Sequence, residues 1–275
     1  MSGFYWITSF PKSGNTWIRM ALWALSHGRP LDFDKFTNWI PMAARRVVFD
    51  EVLAVESADL TVEQVETLRP RLFEALACDA PEPLLRKVHE AWVLTPAGEP
   101  LFPSSVTLGA IYIVRDPRDV AVAVAHHFGM PFDAAIDFLA SPDSRVGPSL
   151  PRRYLPYRML NWGQHVEGWL DAPSLRVLLV RYEDMLADAP AALGHVAAFL
   201  GWDTNSDAIG RAAEATRFER LRAEEERGGF REKPPGMGRF FRRGQAGGWR
   251  DTLTPEQAAR IERNHGTVMA RLGYL

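Results

Sequence analysis

The sequence predicts a three-layer α/β fold in which a central, mainly parallel β-sheet is flanked by helices. Four short apolar runs have the length and composition of buried strands, and the stretches between them have helical composition. Alternation of strands with helices is typical of parallel sheets, because parallel strands need long crossover connections. The strands are predicted at residues 4–8, 84–88, 108–114 and 175–180.

The length allows one large domain or two small ones, and we predict a single globular domain over residues 1–275 because no linker divides the chain convincingly. Hydrophobic residues make up 47% of the chain and charged residues 24%, and the formal net charge is -2. Proteins that bind nucleic acids through charge are usually basic, so this function is not expected. A single cysteine, Cys78, fits a reducing compartment, and we find neither a secretory signal nor an apolar run of about 18 residues. We therefore expect a cytoplasmic protein without a membrane span.

The first predicted strand leads into a turn that is suited to binding an anion. Residues 9–11 interrupt the strand, residues 12–16 turn the chain, and a helix is predicted over residues 17–26. The free N–H groups and the dipole of a helix N-terminus attract negative charge. Lys12 adds a positive charge there, and three side chains add hydrogen-bond donors: Ser13, Asn15 and Thr16. These features predict a phosphate or sulfate site; the alternative is a plain strand-to-helix turn with a capping Ser or Thr.

The order of residues in this turn differs from that of two better-known nucleotide loops. In a Walker A loop, GxxxxGK[ST], the lysine follows the second glycine, whereas Lys12 precedes Gly14. The chain also has no GxGxxG before a helix, which is the fingerprint of dinucleotide oxidoreductases. The turn therefore predicts an anion site of a different kind.

The second predicted strand, residues 84–88, ends at His89. If this strand is a parallel neighbour of the first, Lys12 and His89 fall at the same edge of the sheet. Ligands bind beyond the carboxyl ends of strands in open α/β sheets, so this edge is a candidate catalytic site. The alternative is that His89 is structural or faces solvent.

The third predicted strand, residues 108–114, is followed at once by a second positively charged turn. Arg115 and Arg118 flank Pro117, which suits the first turn of a helix that is predicted to run to His126. Two positively charged turns in one sheet favour a ligand with two separate anionic groups. The alternative is a solvated loop with local ion pairs.

The remaining segments complete the predicted three-layer pattern. Residues 31–60 and 141–156 are predicted to be mainly loops, the former with a short helix, and Thr61 with Gln64 forms a capping box. The glycine-rich, basic and aromatic segment 227–249 is predicted to be a loop that closes over the anion site as a lid; the alternative is a disordered surface loop. Further helices are predicted at residues 62–76, 132–139, 157–170, 191–200, 207–216, 218–226 and 255–272.

Five short motifs resemble, in the same order, those of the cytosolic PAPS-dependent sulfotransferases (PAPS is 3′-phosphoadenosine 5′-phosphosulfate). The resemblance spans nearly the whole chain and implies a P-loop-like fold. It also implies transfer of a sulfuryl group from PAPS to a small-molecule acceptor, with PAP, the 3′,5′-bisphosphate, as product and with no metal. The motifs are SFPKSGNTW at residues 9–17, KVH at 87–89, IVRDPRDVAV at 113–122, RYEDM at 181–185 and FFRRGQAGGW at 240–249.

The resemblance also implies roles for individual residues. His89 would be the general base, and Lys12 would stabilise the leaving oxygen while also binding the donor. The other residues implied in binding the donor are, for the 5′-phosphosulfate, Ser13, Gly14, Asn15 and Thr16; for the adenosine, Trp17, Tyr182, Thr216 and Phe218; and for the 3′-phosphate, Arg115, Arg242, Arg243 and Gly244.

The chain departs from the family pattern at three places. Asn15 replaces a common Thr and keeps a hydrogen-bond donor. Ala123 stands where the family usually has a Ser that touches the 3′-phosphate, so that hydroxyl is missing. Residues 250–259 do not keep the family's KxxxTVxxxE dimer motif, so the oligomeric state stays open.

The acceptor is predicted only as a class. Aromatic residues in the loop-rich segments favour a small apolar or aromatic molecule bearing a hydroxyl or amine, and the alternative is that these residues serve packing. Two other functions remain: a P-loop-like nucleotide kinase, and a relative that binds PAP without turnover. The candidate acceptor residues are Trp39, Trp92, Phe128, Phe132 and Tyr157.

Overall fold

A computed structural model describes residues 2–28, 31–146, 153–234 and 236–275. Six strands occur in these ranges, four of them in one sheet and two in a small antiparallel pair. The four predicted strands are confirmed to within two residues at each end. The strands are β1 (Phe4–Thr8), β2 (Leu84–Val88), β3 (Thr107–Val114), β4 (Arg145–Val146), β5 (Tyr157–Arg158) and β6 (Val177–Arg181).

The main sheet has the strand order β2-β1-β3-β6, and β1 is parallel to both of its neighbours. In this register Thr8 lies beside Val88 of β2 and Tyr112 of β3. The prediction of a mainly parallel sheet is therefore confirmed, including the prediction that residues 4–8 and 84–88 are parallel neighbours. Ser9 and His89 follow these two strands at the carboxyl edge.

Twelve α-helices are described. The predicted capping box at Thr61 is confirmed, and Thr254 caps α12 in the same way: each Thr hydroxyl accepts a bond from the backbone of a Gln three residues later. The helices are α1 (Asn15–His27), α2 (Phe33–Trp39), α3 (Arg46–Leu53), α4 (Val62–Cys78), α5 (Pro117–Phe128), α6 (Phe132–Ala140), α7 (Trp162–Leu170), α8 (Tyr182–Ala187), α9 (Ala189–Leu200), α10 (Ser206–Ala215), α11 (Phe218–Gly228) and α12 (Pro255–Arg271).

The predicted helix over residues 157–170 is wrong at its start. Leu160 adopts a left-handed conformation with φ 58°, and Asn161 then caps α7 in a capping box with Gln164. The helix therefore begins at Trp162, and residues 157–158 form β5 instead. The predicted loop 141–156 contains β4, and residues 147–152 of it lie outside the described residues.

The chain divides into two compact units. Unit 1 comprises Met1–Phe10, Pro41–Tyr112 and Phe138–Leu179; unit 2 comprises Pro11–Ile40, Ile113–Asp137 and Val180–Leu275. Unit 1 has an aromatic core in which Phe4 and Trp6 stack at 4.5 Å and Phe73 meets both rings edge-on. In unit 2, a separate apolar cluster is built on Met20, Trp23, Phe36, Leu221, Phe230 and Phe241.

Candidate functional site

All thirteen residues predicted to bind the donor lie in unit 2. The turn after β1 brings the first of them together by an unusual backbone path, with φ 70° at Lys12 and φ 111° at Gly14. A Cβ at Gly14 would lie 2.8 Å from Cδ2 of Tyr182. Only glycine therefore allows the tyrosine ring to rest against this turn.

Two hydroxyl groups lie at or just before the N-terminus of α1. The hydroxyl of Ser13 is fully buried and has no hydrogen-bond partner among the residues that the structure describes. Leaving such a group unpaired costs roughly 1–3 kcal/mol, so a ligand oxygen at this position would stabilise the fold. The hydroxyl of Thr16 lies 3.4 Å from the Glu232 carboxylate, which pairs with Arg19.

Lys12 is held by two contacts within unit 2. Its Nζ lies 3.3 Å from Nδ1 of His127 and 4.3 Å from the centre of the Phe240 ring. Phe240 comes from the segment 227–249, and His127 comes from the last turn of α5. The ammonium group is thus placed by elements far from it in sequence.

Arg115 joins the second charged turn to the first. Its guanidinium lies 4.4 Å from the centre of the Tyr182 ring and donates to the backbone oxygens of Lys12 (3.4 Å) and Gln245 (2.9 Å). Burial raises the pKa of Tyr182, while the nearby Arg115 opposes that rise. Arg115 therefore lies where the two predicted anion turns meet.

Positive charge is concentrated around Arg115. Burial lowers the pKa of Arg242, and the neighbouring charges of Arg243 and Arg115 lower it further, while Asp119 opposes them. Asp119 also accepts hydrogen bonds from the backbone of Gly247 at 2.7 Å and Trp249 at 3.0 Å. Like charges gathered in this way are unfavourable unless an anion binds between them, so the cluster fits a phosphate group.

For Arg118, the alternative of local ion pairs is correct. Its guanidinium binds Asp116 at 2.7 Å and Glu262 at 2.6 Å, and it lies 4.1 Å from the centre of the Trp249 ring. These carboxylates neutralise its charge. Arg118 therefore anchors α5 to α12 and is not a second ligand-binding cation beside Arg115.

Two of the four residues predicted to contact the adenosine line a small apolar cleft. Trp17 and Thr216 line it together with Met185 and Leu193, and Trp17 meets Tyr182 edge-on at 5.8 Å. The Thr216 hydroxyl donates to the backbone oxygen of Ala212 at 2.9 Å and so stabilises the C-terminal end of α10.

The ring of Phe218 packs against the backbone of Gly244. Gly244 has φ 62°, and a Cβ at this position would lie 2.3 Å from Cδ2 of Phe218. The phenylalanine ring thus packs directly on the backbone beside Arg242 and Arg243. A glycine is required for this approach as well as for the positive φ.

The segment 227–249 is tied to unit 2 at several points along its described length. The Glu232 carboxylate pairs with the buried guanidinium of Arg19 at 2.9 Å. The Glu225 carboxylate accepts from the backbone of Phe240 at 2.6 Å and Phe241 at 2.9 Å. Apart from the end of α11 and a 3₁₀ turn that begins at Gly248, the described part of the segment forms neither helix nor strand, in line with the prediction.

His89 lies in unit 1, where its ring is oriented by the residue that follows β1. Its Nδ1 is 2.9 Å from the carbonyl oxygen of Ser9. Because a carbonyl only accepts, Nδ1 carries the proton and the neutral ring has its lone pair on Nε2. This tautomer is the one that a general base acting through Nε2 needs.

The backbone of His89 is held by a second histidine. Burial lowers the pKa of His165 to about 4, so that ring is neutral near pH 7. Its Nε2 lies 3.2 Å from the His89 oxygen, and the Tyr112 hydroxyl lies 2.8 Å from its Nδ1. Tyr112 donates to His165, and His165 donates to His89.

The five predicted acceptor residues are distributed over both units. In unit 2, Trp39 packs against His27 and Trp202, Phe132 packs against His126, and Phe128 is 47% exposed. In unit 1, Trp92 is half-buried, whereas Tyr157 is buried and burial raises its pKa. Tyr157 is thus part of the packed interior of unit 1, and the acceptor roles of Trp39, Trp92, Phe128 and Phe132 stay predictions.

Sequence reasoning missed three residues that organise these sites: Asp119 as a backbone acceptor, His127 beside Lys12, and His165 behind His89. His127 is 115 residues from Lys12 in sequence, and His165 is 76 residues from His89. No local spacing signals such pairs. Asp119 lies in the first turn of a predicted helix, where an acidic residue is expected simply because it suits the helix dipole.

Two kinds of feature do not occur in the described ranges. No helix there is both long and apolar enough to cross a membrane. No group of three or more His, Cys, Asp or Glu side chains among those residues could hold a metal ion.

Comparison with known proteins gives a consistent result. The family described as "Sulfotransferase domain" matches residues 4–273. "Sulfotransferase 1A1" of Bos taurus is 25% identical in an alignment 273 positions long that covers 96% of this chain and 82% of that protein. "Cytosolic sulfotransferase 17" of Arabidopsis thaliana is 25% identical in an alignment 280 positions long that covers 94% of this chain and 72% of that protein.

Solved structures with a similar fold include retinol dehydratase in complex with androsterone and PAP. Its TM-score is 0.63 at 21% identity, and the match covers 97% of this chain and 80% of that one. Mouse sulfotransferase SULT7A1 complexed with PAP has a TM-score of 0.61 at 21% identity, with 98% and 85% covered. At these identities the likeness establishes the fold.

Proposed function

Because the chain belongs to the sulfotransferase family, we propose that it transfers the sulfuryl group of PAPS to a hydroxyl or amine of a small, apolar or aromatic acceptor. The observation that carries this proposal is the anion site of unit 2. There the unpartnered Ser13 hydroxyl and the ammonium of Lys12 belong to the same turn, which Arg115 contacts through the Lys12 backbone oxygen. Two of the similar solved structures are described as PAP complexes, and PAP carries two separate phosphates.

The residues of unit 2 fit such a donor in two parts. The turn at residues 12–16 would hold the 5′-phosphosulfate through Lys12, the Ser13 hydroxyl and the backbone N–H groups of α1. Arg115, Arg242, Arg243 and the backbone of Gly244 would hold the 3′-phosphate. The charge of Arg242 is repelled by those of Arg243 and Arg115, so this group of arginines gains from a bound anion. Trp17, Tyr182, Thr216 and Phe218 would contact the adenosine.

The reaction we propose is an in-line displacement at sulfur. The acceptor oxygen or nitrogen attacks the sulfur, the bond from sulfur to the bridging 5′-phosphate oxygen breaks, and the electron pair of that bond leaves on PAP. The acceptor's proton goes to Nε2 of His89, and the Lys12 ammonium stabilises the charge on the departing oxygen. Alignment and charge stabilisation supply the catalysis, as in phosphoryl transfer.

A direct test measures sulfuryl transfer from ³⁵S-labelled PAPS to a panel of phenols, alcohols and amines, in EDTA and again with magnesium. We expect labelled product with at least one acceptor class and no dependence on magnesium, whereas a nucleotide kinase would use ATP and need the metal. Lys12→Met is expected to abolish transfer. The matched control is Lys35→Met, because Lys35 is an exposed lysine paired with Asp32.

Two results would count against this function. Transfer by Lys12→Met at the rate of Lys35→Met would remove the proposed role of Lys12. Binding of PAP without transfer to any acceptor would favour the alternative hypothesis, in which the protein binds PAP but does not catalyse transfer.

A further inference from the structure

We propose that His127 is a positioning residue for Lys12: its Nδ1 accepts a hydrogen bond from the ammonium group and holds it where the leaving oxygen develops charge. The inference rests on the proposed function, because Lys12 needs a fixed position only if it acts on the donor. It begins from the 3.3 Å separation between Lys12 Nζ and His127 Nδ1.

The chemistry of the two groups sets the direction of this bond. An ammonium group has three N–H donors and no acceptor, so Nδ1 of His127 must be the acceptor. The proton of the neutral ring is then on Nε2. A protonated His127 would turn an N–H toward the ammonium and lose the contact, so the positioning role belongs to the neutral ring.

The surroundings of His127 hold the ring in place. Phe128 meets it edge-on with ring centres 4.8 Å apart, and Phe240 meets it edge-on at 6.4 Å. Phe240 also lies 4.3 Å from Lys12 Nζ, so the same aromatic ring contacts both partners. Lys12, His127 and Phe240 therefore form one cluster within unit 2, in which each member limits the movement of the other two.

The helix that carries His127 also relates it to the phosphate site. Arg115 precedes the first turn of α5, and His127 lies in the last turn. A rigid helix of this length fixes the distance between the proposed 3′-phosphate ligand and the acceptor that holds Lys12. Ala123, one turn earlier on the same face, has no polar group to offer.

Positioning matters because a lysine side chain is long and flexible. An unrestrained ammonium samples many rotamers, and ordering it during the reaction would cost entropy at the transition state. An existing hydrogen bond removes most of that cost beforehand. An error of about 1 Å at a catalytic group can lower the rate roughly 10²-fold, so the contact is large enough to be measured.

The test compares His127→Asn with His127→Leu. The two side chains have nearly the same shape, but only Asn keeps an oxygen near the position of Nδ1. We expect His127→Leu to lower kcat roughly tenfold while the KM for PAPS changes less than about threefold, and His127→Asn to keep most of kcat.

A second readout does not depend on turnover. The chain has four lysines, at positions 12, 35, 87 and 233, so ¹⁵N-lysine labelling gives a simple side-chain NMR spectrum. A hydrogen-bonded ammonium exchanges slowly with water; we expect a resolved Lys12 signal in the wild type and in His127→Asn, and its loss in His127→Leu.

The outcomes separate the two proposals. If Asn and Leu lower kcat equally, or if the Lys12 signal is unchanged in His127→Leu, the positioning role is overturned while the transferase remains. If the wild type transfers no sulfuryl group but the Lys12 signal responds as expected, the contact stands and the proposed function fails.

Discussion

Nδ1 of His89 lies 2.9 Å from the carbonyl oxygen of Ser9, and this contact determines which ring nitrogen carries the lone pair. The contact exists because β1 and β2 are parallel and in register, with Thr8 beside Val88. The residues that follow the two strands therefore meet at the same edge. The register of β1 and β2 therefore determines the tautomer of His89, the proposed base.

Replacement of His89 is the first prediction. His89→Ala removes the proposed proton acceptor, and we expect sulfuryl transfer to fall roughly 10²–10⁴-fold. The affinity for PAP should be unchanged, because the residues proposed to bind PAP belong to unit 2. His195→Ala, at an exposed histidine of α9, is the control and should behave as wild type. Equal rates in the two variants would refute the role of His89.

A second prediction concerns the close approach of Gly244 to Phe218. Gly244→Ala places a methyl group 2.3 Å from the ring and puts a non-glycine residue at φ 62°, which alone costs about 1–2 kcal/mol. We expect a lower melting temperature and an affinity for PAP reduced at least tenfold. In the same segment, a Cβ at Gly238 meets nothing within 4 Å and is the control for thermal melting and calorimetry. A melting temperature and PAP affinity equal to those of Gly238→Ala would contradict the packing described.

The Arg19–Glu232 pair gives a prediction on stability. Arg19 is almost completely buried, and Glu232 supplies its counter-charge at 2.9 Å. Glu232→Gln leaves a buried guanidinium without its anion, and loss of one member of a buried pair costs about 3–5 kcal/mol. Because Glu232 is partly exposed and Arg19 also donates to the Ile40 oxygen, we expect a loss of about 2–3 kcal/mol by urea unfolding.

A surface pair provides the control for this measurement. Glu224 pairs with Arg227 on α11, and both side chains are exposed. Exposed pairs contribute about 0–1 kcal/mol, so Glu224→Gln should change the free energy of unfolding very little. If both variants lose the same amount, the Glu232 pair has no special role in anchoring the segment.

His165 predicts how stability depends on pH. Burial lowers its pKa in the folded chain to about 4, whereas the pKa of an unfolded histidine is near 6.5. Between these values the unfolded state binds more protons, so stability is full above pH 6.5 and falls as the pH drops toward 4. From pH 7.5 to pH 5 the loss due to His165 is about 2 kcal/mol.

The measurement compares urea unfolding of the wild type and His165→Asn at the two pH values. His265 is also buried with its pKa lowered to about 4, so it contributes in both proteins. The expected result is a smaller drop in stability for the variant, by about 2 kcal/mol. A drop of the same size in both proteins would show that His165 does not titrate in this range.

The elements that sequence reasoning located were those defined by local signals. The four strands of the main sheet are apolar runs bounded by turn residues. Thr61 and Thr254 each precede a Gln by three residues, and this short spacing indicates the start of a helix. The start of α7 was missed although a signal was present, because Asn161 and Gln164 form a capping box inside the predicted helix. Leu160 in a left-handed conformation has no sequence signature, since such residues are usually Gly or Asn.

The functional assignment of charged residues depended on distant contacts. Arg115 and Arg118 look alike in the sequence, but only Arg118 meets Glu262 and the Tyr274 backbone oxygen, which come from the C-terminal region. The contact between Lys12 and His127 likewise joins residues that are far apart in the sequence. Periodicity and spacing describe neighbours along the chain, so they predict the anion turns and miss the residues that complete them.

The measurement that tests the account most directly is a calorimetric titration with PAP and with 5′-AMP, in EDTA, of the wild type and Arg115→Met. The account predicts roughly micromolar binding of PAP by the wild type and binding of 5′-AMP that is at least tenfold weaker. In Arg115→Met, the affinity for PAP should fall roughly 10–100-fold, toward that for 5′-AMP, while the affinity for 5′-AMP stays the same. No binding of PAP, or equal affinities for the two nucleotides in the wild type, would contradict the assignment of unit 2 as a site for a 3′,5′-bisphosphate.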